Sequence, residues 1–174
     1  MMNDPKVALL AEQLYEDPEL WYPYYRLQEA GYDVKVIGPE KKIYYSKHQY
    51  PVSIDISIND ARVEDFIGVV IPGGYAPDYM RRFQKMISFV RKIHEKGGLV
   101  AAICHAPWVL ISAGILNDKD ATCFFSIKDD LINAGANYLY QEVVIDHHLV
   151  TSRSPKDLPA YLSAILSVLN ELNE

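Results

Sequence analysis

Apolar positions along the chain fall into short continuous runs separated by longer segments of helical spacing. Lys6–Leu10 (KVALL), Tyr32–Gly38 (YDVKVIG), Gly68–Gly74 (GVVIPGG) and Leu99–Ile103 (LVAAI) each have the length and composition of a buried strand. After the first run, DPELWYPYYRLQEAG predicts a helix. Asp17 caps its N-terminus, Pro18 takes the first helical position, Gly31 closes it, and Pro23 kinks it or opens a new helix. In YPVSIDISI, Val52, Ile54, Ile56 and Ile58 alternate with polar residues, the mark of a half-exposed strand. Residues 77–96 read as helical up to Gly97-Gly98, and EVVIDHHLVTS as a hairpin. DLPAYLSAILSVLNELN reads as an amphipathic terminal helix capped by Asp157.

Fully apolar strands alternating with helices predict an α/β fold with a parallel sheet covered on both faces. No linker, repeat or low-complexity tract divides the 174 residues, which predicts one domain over residues 1–174. Sites in such sheets form beyond the carboxyl ends of the strands. Three ends stand out: the first strand runs into Glu12, Glu16, Asp17 and Glu19, another into Gly73-Gly74, and another into Cys104-His105.

Composition narrows the function classes. A formal net charge of -6 argues against non-specific binding to nucleic acid or an anionic membrane, both of which need surplus Lys and Arg. The opening MMNDPKVALLAEQ lacks a signal peptide's apolar stretch, and two cysteines make no disulfide framework, so a cytoplasmic location with reduced thiols is expected. Gly97–Leu116 imitates a membrane span, but Pro107 divides it into a strand-length and a helix-length piece.

The chemistry centres on Cys104, at a strand-to-helix turn that would project its side chain into the crevice as a nucleophile elbow. A helix N-terminus beyond it is expected to lower the thiol pKa and make Cys104 more reactive than Cys123, which reads as structural. His105 is either a base or a histidine held by local hydrogen bonds, because adjacent residues usually point apart. Gly73-Gly74 is either a tight turn or a backbone presenting N–H groups to an oxyanion. His147-His148, at a hairpin turn, lacks the helical spacing of zinc sites, and no phosphate-cradling glycine pattern occurs. Arg81-Arg82 reads as a solvated face, and Tyr22, Tyr24 and Tyr25 as core or interface residues.

Together EDPELWYPYYRLQEAGYDV, VVIPGGYAPDYMRR, AAICHAP, SIKDDLINAGA and TSRSPKDL resemble the DJ-1/PfpI superfamily, specifically its PfpI-type intracellular proteases. The resemblance implies a flavodoxin-like three-layer sandwich with a mostly parallel central sheet. It implies Cys104 as nucleophile, His105 as its partner, and Glu16 as the carboxyl group meeting the thiol. Backbone amides around Gly73, Gly74, His105 and Ala106 would form the oxyanion site. Asp78, where the family pattern has Glu, would complete the site from a neighbouring subunit, making the protein a homo-oligomer with its active site at the subunit interface. Ala106 stands in place of the usual Gly of Cys-His-Gly. The implied chemistry is attack on a peptide or on a 2-oxoaldehyde such as methylglyoxal or its protein adducts, with no cofactor and no metal. The alternative is a redox sensor or stress chaperone in which Cys104 is oxidised.

Overall fold

The computed structural model describes residues 5–173, so Met1–Asp4, part of the opening stretch weighed for a leader, lie outside the described residues. In chain order the elements are β1 (Lys6–Leu10), α1 (Asp17–Glu29), β2 (Asp33–Gly38), β3 (Ile43–Tyr45), β4 (Pro51–Ser53), β5 (Ile56–Ser57) and β6 (Phe66–Ile71). They continue with α2 (Ala76–Met80), α3 (Gln84–Glu95), β7 (Leu99–Ile103), α4 (Pro107–Ala113), β8 (Asp120–Ala121) and α5 (Lys128–Asn133). The last are β9 (Asn137–Tyr138), β10 (Val143–Asp146), β11 (Leu149–Ser152) and α6 (Leu158–Asn173).

Seven strands form the central sheet in the order β10-β11-β7-β6-β1-β2-β5, and only β10 runs antiparallel to its neighbour. α1 and α6 pack together on one face, while α3 packs on β6 and β7 on the other and carries α4 against it. This three-layer arrangement explains the uninterrupted apolar runs. Every residue of β7, and all but the first of β1, is buried, because both faces are covered. Pairing β6 with β1 and β7 in parallel brings the carboxyl ends of all three together at one edge of the sheet.

Several local expectations are altered. The alternating run at 52–58 splits at Asp55: Val52 lies in the small β3–β4 hairpin, and Ile56 starts edge strand β5. Asp55 causes the break by closing on β2, where Val36 N donates to Asp55 Oδ2 at 2.8 Å and Asp55 N donates to Val36 O at 2.9 Å. α1 runs through Pro23 for 13 residues, neither ending nor restarting there. Asp17 does not cap it. Its carboxylate accepts from Ser46 Oγ at 2.6 Å and contacts His48 Nδ1 at 2.7 Å. Asp157 likewise turns to Arg153, which holds both its oxygens at 3.0 and 3.1 Å, instead of capping α6. The helical stretch at 77–96 is two helices, broken at Arg81–Phe83. His147 sits at the β10–β11 turn with φ of 55°, and His148 Nε2 lies 3.0 Å from His94 Nδ1 on α3. Among the described residues no helix is long and apolar enough to cross a membrane, and Gly97–Leu116 is divided between β7 and α4.

Candidate active site

Cys104 leaves β7 with φ of 62°, the left-handed region that a non-glycine residue adopts only when its surroundings force it. Two backbone bonds hold that turn: Cys104 N donates to Ser152 O at 3.0 Å, and Phe124 N donates to Cys104 O at 2.9 Å. The strained turn aims the thiol past the sheet edge into a space bounded by the 73–74 loop and the start of α1.

The loop must be glycine at both positions. A Cβ on Gly73 would stand 2.5 Å from Glu19 Oε2, 2.8 Å from Cys104 Cβ and 3.1 Å from His105 N. Gly74 has φ of 77°, and its Cβ would stand 2.5 Å from the Leu14 carbonyl oxygen. This close approach leaves the Gly74 and His105 amides directed at the Cys104 sulfur. The oxyanion expectation is therefore corrected in part. Gly73 N is committed to Glu19 Oε2 at 2.7 Å and Ala106 N to Ile103 O at 2.9 Å, leaving Gly74 and His105 as the donors facing the site.

The carboxyl partner is also corrected. Glu16 occupies the N-cap position of α1, where its side chain leaves the site to pair with Lys47 Nζ at 2.7 Å. Glu19, one turn further on, points inward, is fully buried, and lies within hydrogen-bonding reach of the Cys104 thiol. Burial pushes Glu19 up to about 8, and the negative charge of Glu16 adds to it. Its Oε1 has no hydrogen-bond partner among the described residues, which favours the neutral acid further.

Cys104 is 8% exposed, and burial pushes its thiol up, followed by the charge of Glu19 when that group is ionised; the His105 and Gly74 amides pull the other way. The expectation of a thiol lowered by helix α4 is thus reversed in direction, because desolvation outweighs the local dipoles. The hydrogen bond from the thiol to the Glu19 carboxylate also holds the thiol up, so the two acids titrate as a pair. Cys123 is wholly buried and pushed up to about 12 by burial.

His105 Nδ1 lies 3.2 Å from Cys104 Sγ, so the adjacent residues do meet across the turn. Its ring stacks on Phe124 (5.1 Å, 28°) and meets Trp108 edge-on (5.3 Å, 66°). Burial lowers the His105 pKa, and the Lys47 ammonium lowers it further. Asp78, on α2, is exposed and pairs with Arg82 of its own chain. It lines a largely apolar cleft of about 300 Å³ with Leu14, Tyr75, Tyr79 and Trp108, the residue whose ring also meets the imidazole. Among the described residues, Glu16, Asp17 and His48 alone bring three cation-ligand atoms within 4.8 Å of one another, and Lys47 and Ser46 already engage the two carboxylates.

These features define a cysteine elbow on a parallel α/β sheet, and the chain belongs to the DJ-1/PfpI family, whose model matches residues 5–168. Relatives include "Deglycase PfpI" of Pyrococcus furiosus, 40% identical over 164 residues, covering 94% of this chain and 99% of that protein. "Putative cysteine protease YraA" of Bacillus subtilis is 43% identical over 165 residues, covering 94% and 98%. Among solved structures, Drosophila melanogaster DJ-1beta superposes with a TM-score of 0.88 at 28% identity, covering 97% of this chain and 90% of that one. A two-domain protein of Anabaena variabilis, with a DJ-1/ThiJ/PfpI-like and a ferritin-like domain, gives 0.94 at 44% identity over 96% of this chain and 48% of its own.

Proposed function

We propose that this chain is a thiol-dependent enzyme acting on small carbonyl compounds, 2-oxoaldehydes such as methylglyoxal or the adducts they form with protein amines. The observation that carries this reading is the shell around one sulfur. An imidazole nitrogen lies 3.2 Å away, a buried carboxyl is within reach, and two uncommitted amides face it. A nucleophile residue only 8% exposed suits a small carbonyl better than a peptide backbone, and the deglycase name of the Pyrococcus furiosus relative supports the same choice.

In the reaction the Cys104 sulfur adds to the aldehyde carbon, and the carbonyl electron pair moves to oxygen beside the Gly74 and His105 amides. His105 Nδ1 takes the thiol proton and returns it to that oxygen, giving a hemithioacetal. The same base removes the C1 hydrogen as a proton while the C2 oxygen gains one, giving an enediol. Return of a proton to C2, with loss of the C1 hydroxyl proton, yields the thioester of a 2-hydroxy acid. Water then releases the acid and the thiol. C1 is oxidised as C2 is reduced, so the step balances without an external oxidant.

The reading includes a homo-oligomer in which Asp78 of a second copy approaches His105. Its exposure, its place on the cleft beside Trp108 and its lack of any bond to His105 within its own chain support this. Turnover of methylglyoxal and of a peptide amide, each compared with Cys104→Ser, tests the proposal. Cys104-dependent loss of the aldehyde alone is the expected result, and unchanged turnover by Cys104→Ser overturns it.

A further inference from the structure

His105 has two ring nitrogens, and the proposed chemistry uses only one. Nδ1 faces the thiol at 3.2 Å. Nε2 faces the hydroxyl of Ser126 at 3.3 Å. For Nδ1 to accept a thiol proton its lone pair must point at the sulfur, so the ring hydrogen must sit on Nε2, where an acceptor is needed to keep it. Ser126 Oγ is the acceptor the chain itself supplies there.

We infer that Ser126 is the positioning residue of His105, holding the imidazole in the tautomer whose Nδ1 is free to take the Cys104 proton; this rests on the enzymatic reading above. The segment that carries Ser126 is tied to the elbow that carries His105. Phe124 N donates to the Cys104 carbonyl at 2.9 Å, and Ile127 N closes the 3-10 turn Phe125–Ile127 onto Phe124 O at 3.1 Å. The Phe124 ring lies nearly parallel to the imidazole and the Trp108 ring meets it edge-on, so the two aromatics fix the ring plane. They leave open which nitrogen carries the hydrogen, because apolar ring faces do not distinguish the two tautomers. The Ser126 hydroxyl, which can donate or accept, acts together with the thiol. With the Cys104 S–H directed at the Nδ1 lone pair, the hydroxyl accepts from Nε2–H and holds the hydrogen there. Among the described residues no carboxylate bonds to Nε2, and Asp78 is held by Arg82.

A neutral hydroxyl orients the ring without stabilising its charged form, unlike the carboxylate of a Ser-His-Asp arrangement. Before reaction His105 is thus held as a neutral base, in keeping with the lowering of its pKa by burial and by Lys47. The Asp78 carboxylate of a second copy acts on the imidazolium only once the thiol proton has been taken. Ser126 is exposed, so removing its hydroxyl leaves no buried group unpaired and the variant folds.

The test compares Ser126→Ala and Ser126→Thr with the wild-type chain. Three readouts are used: the ring ¹⁵N shifts of His105 (identified by their loss in His105→Gln), the rate of Cys104 alkylation by iodoacetamide, and kcat and KM for methylglyoxal. The Nε2–H tautomer is expected in the wild type. Ser126→Ala is expected to give a mixture of tautomers, with alkylation and kcat falling about two- to tenfold, the weight of one neutral hydrogen bond, and KM unchanged. Ser126→Thr, which keeps a hydroxyl, restores all three. An Nδ1–H tautomer in the wild type, or wild-type tautomer and alkylation rate in Ser126→Ala, overturns the assignment. If Cys104→Ser keeps its turnover, the enzymatic reading fails by itself, while the tautomer and alkylation results still decide Ser126.

Discussion

The Gly73 amide donates to Glu19 Oε2 at 2.7 Å, joining the end of β6 to the first turn of α1 directly beneath the Cys104 thiol. That bond turns the Glu19 carboxyl inward and takes Gly73 N out of the oxyanion role. It also leaves no volume at Gly73 for any side chain.

Gly73→Ala should therefore damage stability and chemistry together. Its new methyl meets Glu19 Oε2 at 2.5 Å, which can withdraw only by giving up its bond to the residue 73 amide, and Cys104 Cβ at 2.8 Å, which moves only with the backbone. A loss of about 1–3 kcal/mol in denaturant unfolding is expected from such overpacking. Slower alkylation of Cys104 should accompany it.

Glu19 gives the folded state an acid-side preference. Its pKa is raised from 4.5 to about 8, so between those values the folded chain holds a proton that the unfolded chain has released. This contribution is fully present below about pH 4.5 and is lost as pH rises through 8. Glu19→Gln, neutral at every pH, should flatten that part of the stability profile measured by urea unfolding. A variant that keeps the wild-type slope would show that Glu19 is ionised in the fold.

The opposite slope belongs to His94 and His148. Burial lowers both, and each is lowered further by nearby positive charge: the other ring and Lys119 for His94, Lys119 and His147 for His148. Glu95 on α3 and Asp146 on β10 partly oppose this. A depressed histidine contributes stability above its unfolded pKa of about 6.5, which is lost as pH falls through the folded value. In a Glu19→Gln background, which removes the opposing slope, thermal unfolding between pH 7.5 and 5 should show a falling midpoint, and His148→Gln added to it should reduce the fall.

If Asp78 of one copy serves His105 of another, two inactive variants should complement. Mixed Cys104→Ser and Asp78→Ala subunits, once exchange is demonstrated, would contain some sites with an intact Cys104 and an intact Asp78. Partial recovery of methylglyoxal turnover is expected. No recovery despite exchange removes Asp78 from the site.

Much of this arrangement is legible in the residues. A sheet covered on both faces admits little but apolar side chains, so β1, β6 and β7 declare themselves, and the Cys104-His105 pair stands where β7 runs out. The choice among Glu12, Glu16, Asp17 and Glu19 is harder, because it depends on the phase of α1. Glu16 is still extended at the N-cap, whereas Glu19 shares the buried stripe with Pro23 and Leu27 at four-residue spacing. A carboxylate on an apolar stripe was the available signal. Nothing comparable separates the Gly74 and His105 amides from those of Gly73 and Ala106, since only the folded geometry shows which N–H groups are already used. The direction of the Cys104 shift was hidden for a related reason: strand and turn position reveal the dipoles, while the degree of desolvation depends on how closely Gly73 lets Glu19 approach.

The most direct measurement of the site's central claim, that Glu19 and not Glu16 governs the Cys104 thiol, is the pH profile of Cys104 alkylation read by mass spectrometry. Wild type, Glu19→Ala, Glu19→Gln and Glu16→Gln are compared. The Glu19 charge and its hydrogen bond both hold the thiol up, so Glu19→Ala should lower the midpoint. Glu19→Gln, which removes the same charge, should lower it as well. Glu16→Gln frees the Lys47 ammonium beside the site and should leave the midpoint in place or lower it. A raised midpoint in Glu16→Gln together with an unchanged one in Glu19→Ala would contradict the arrangement described.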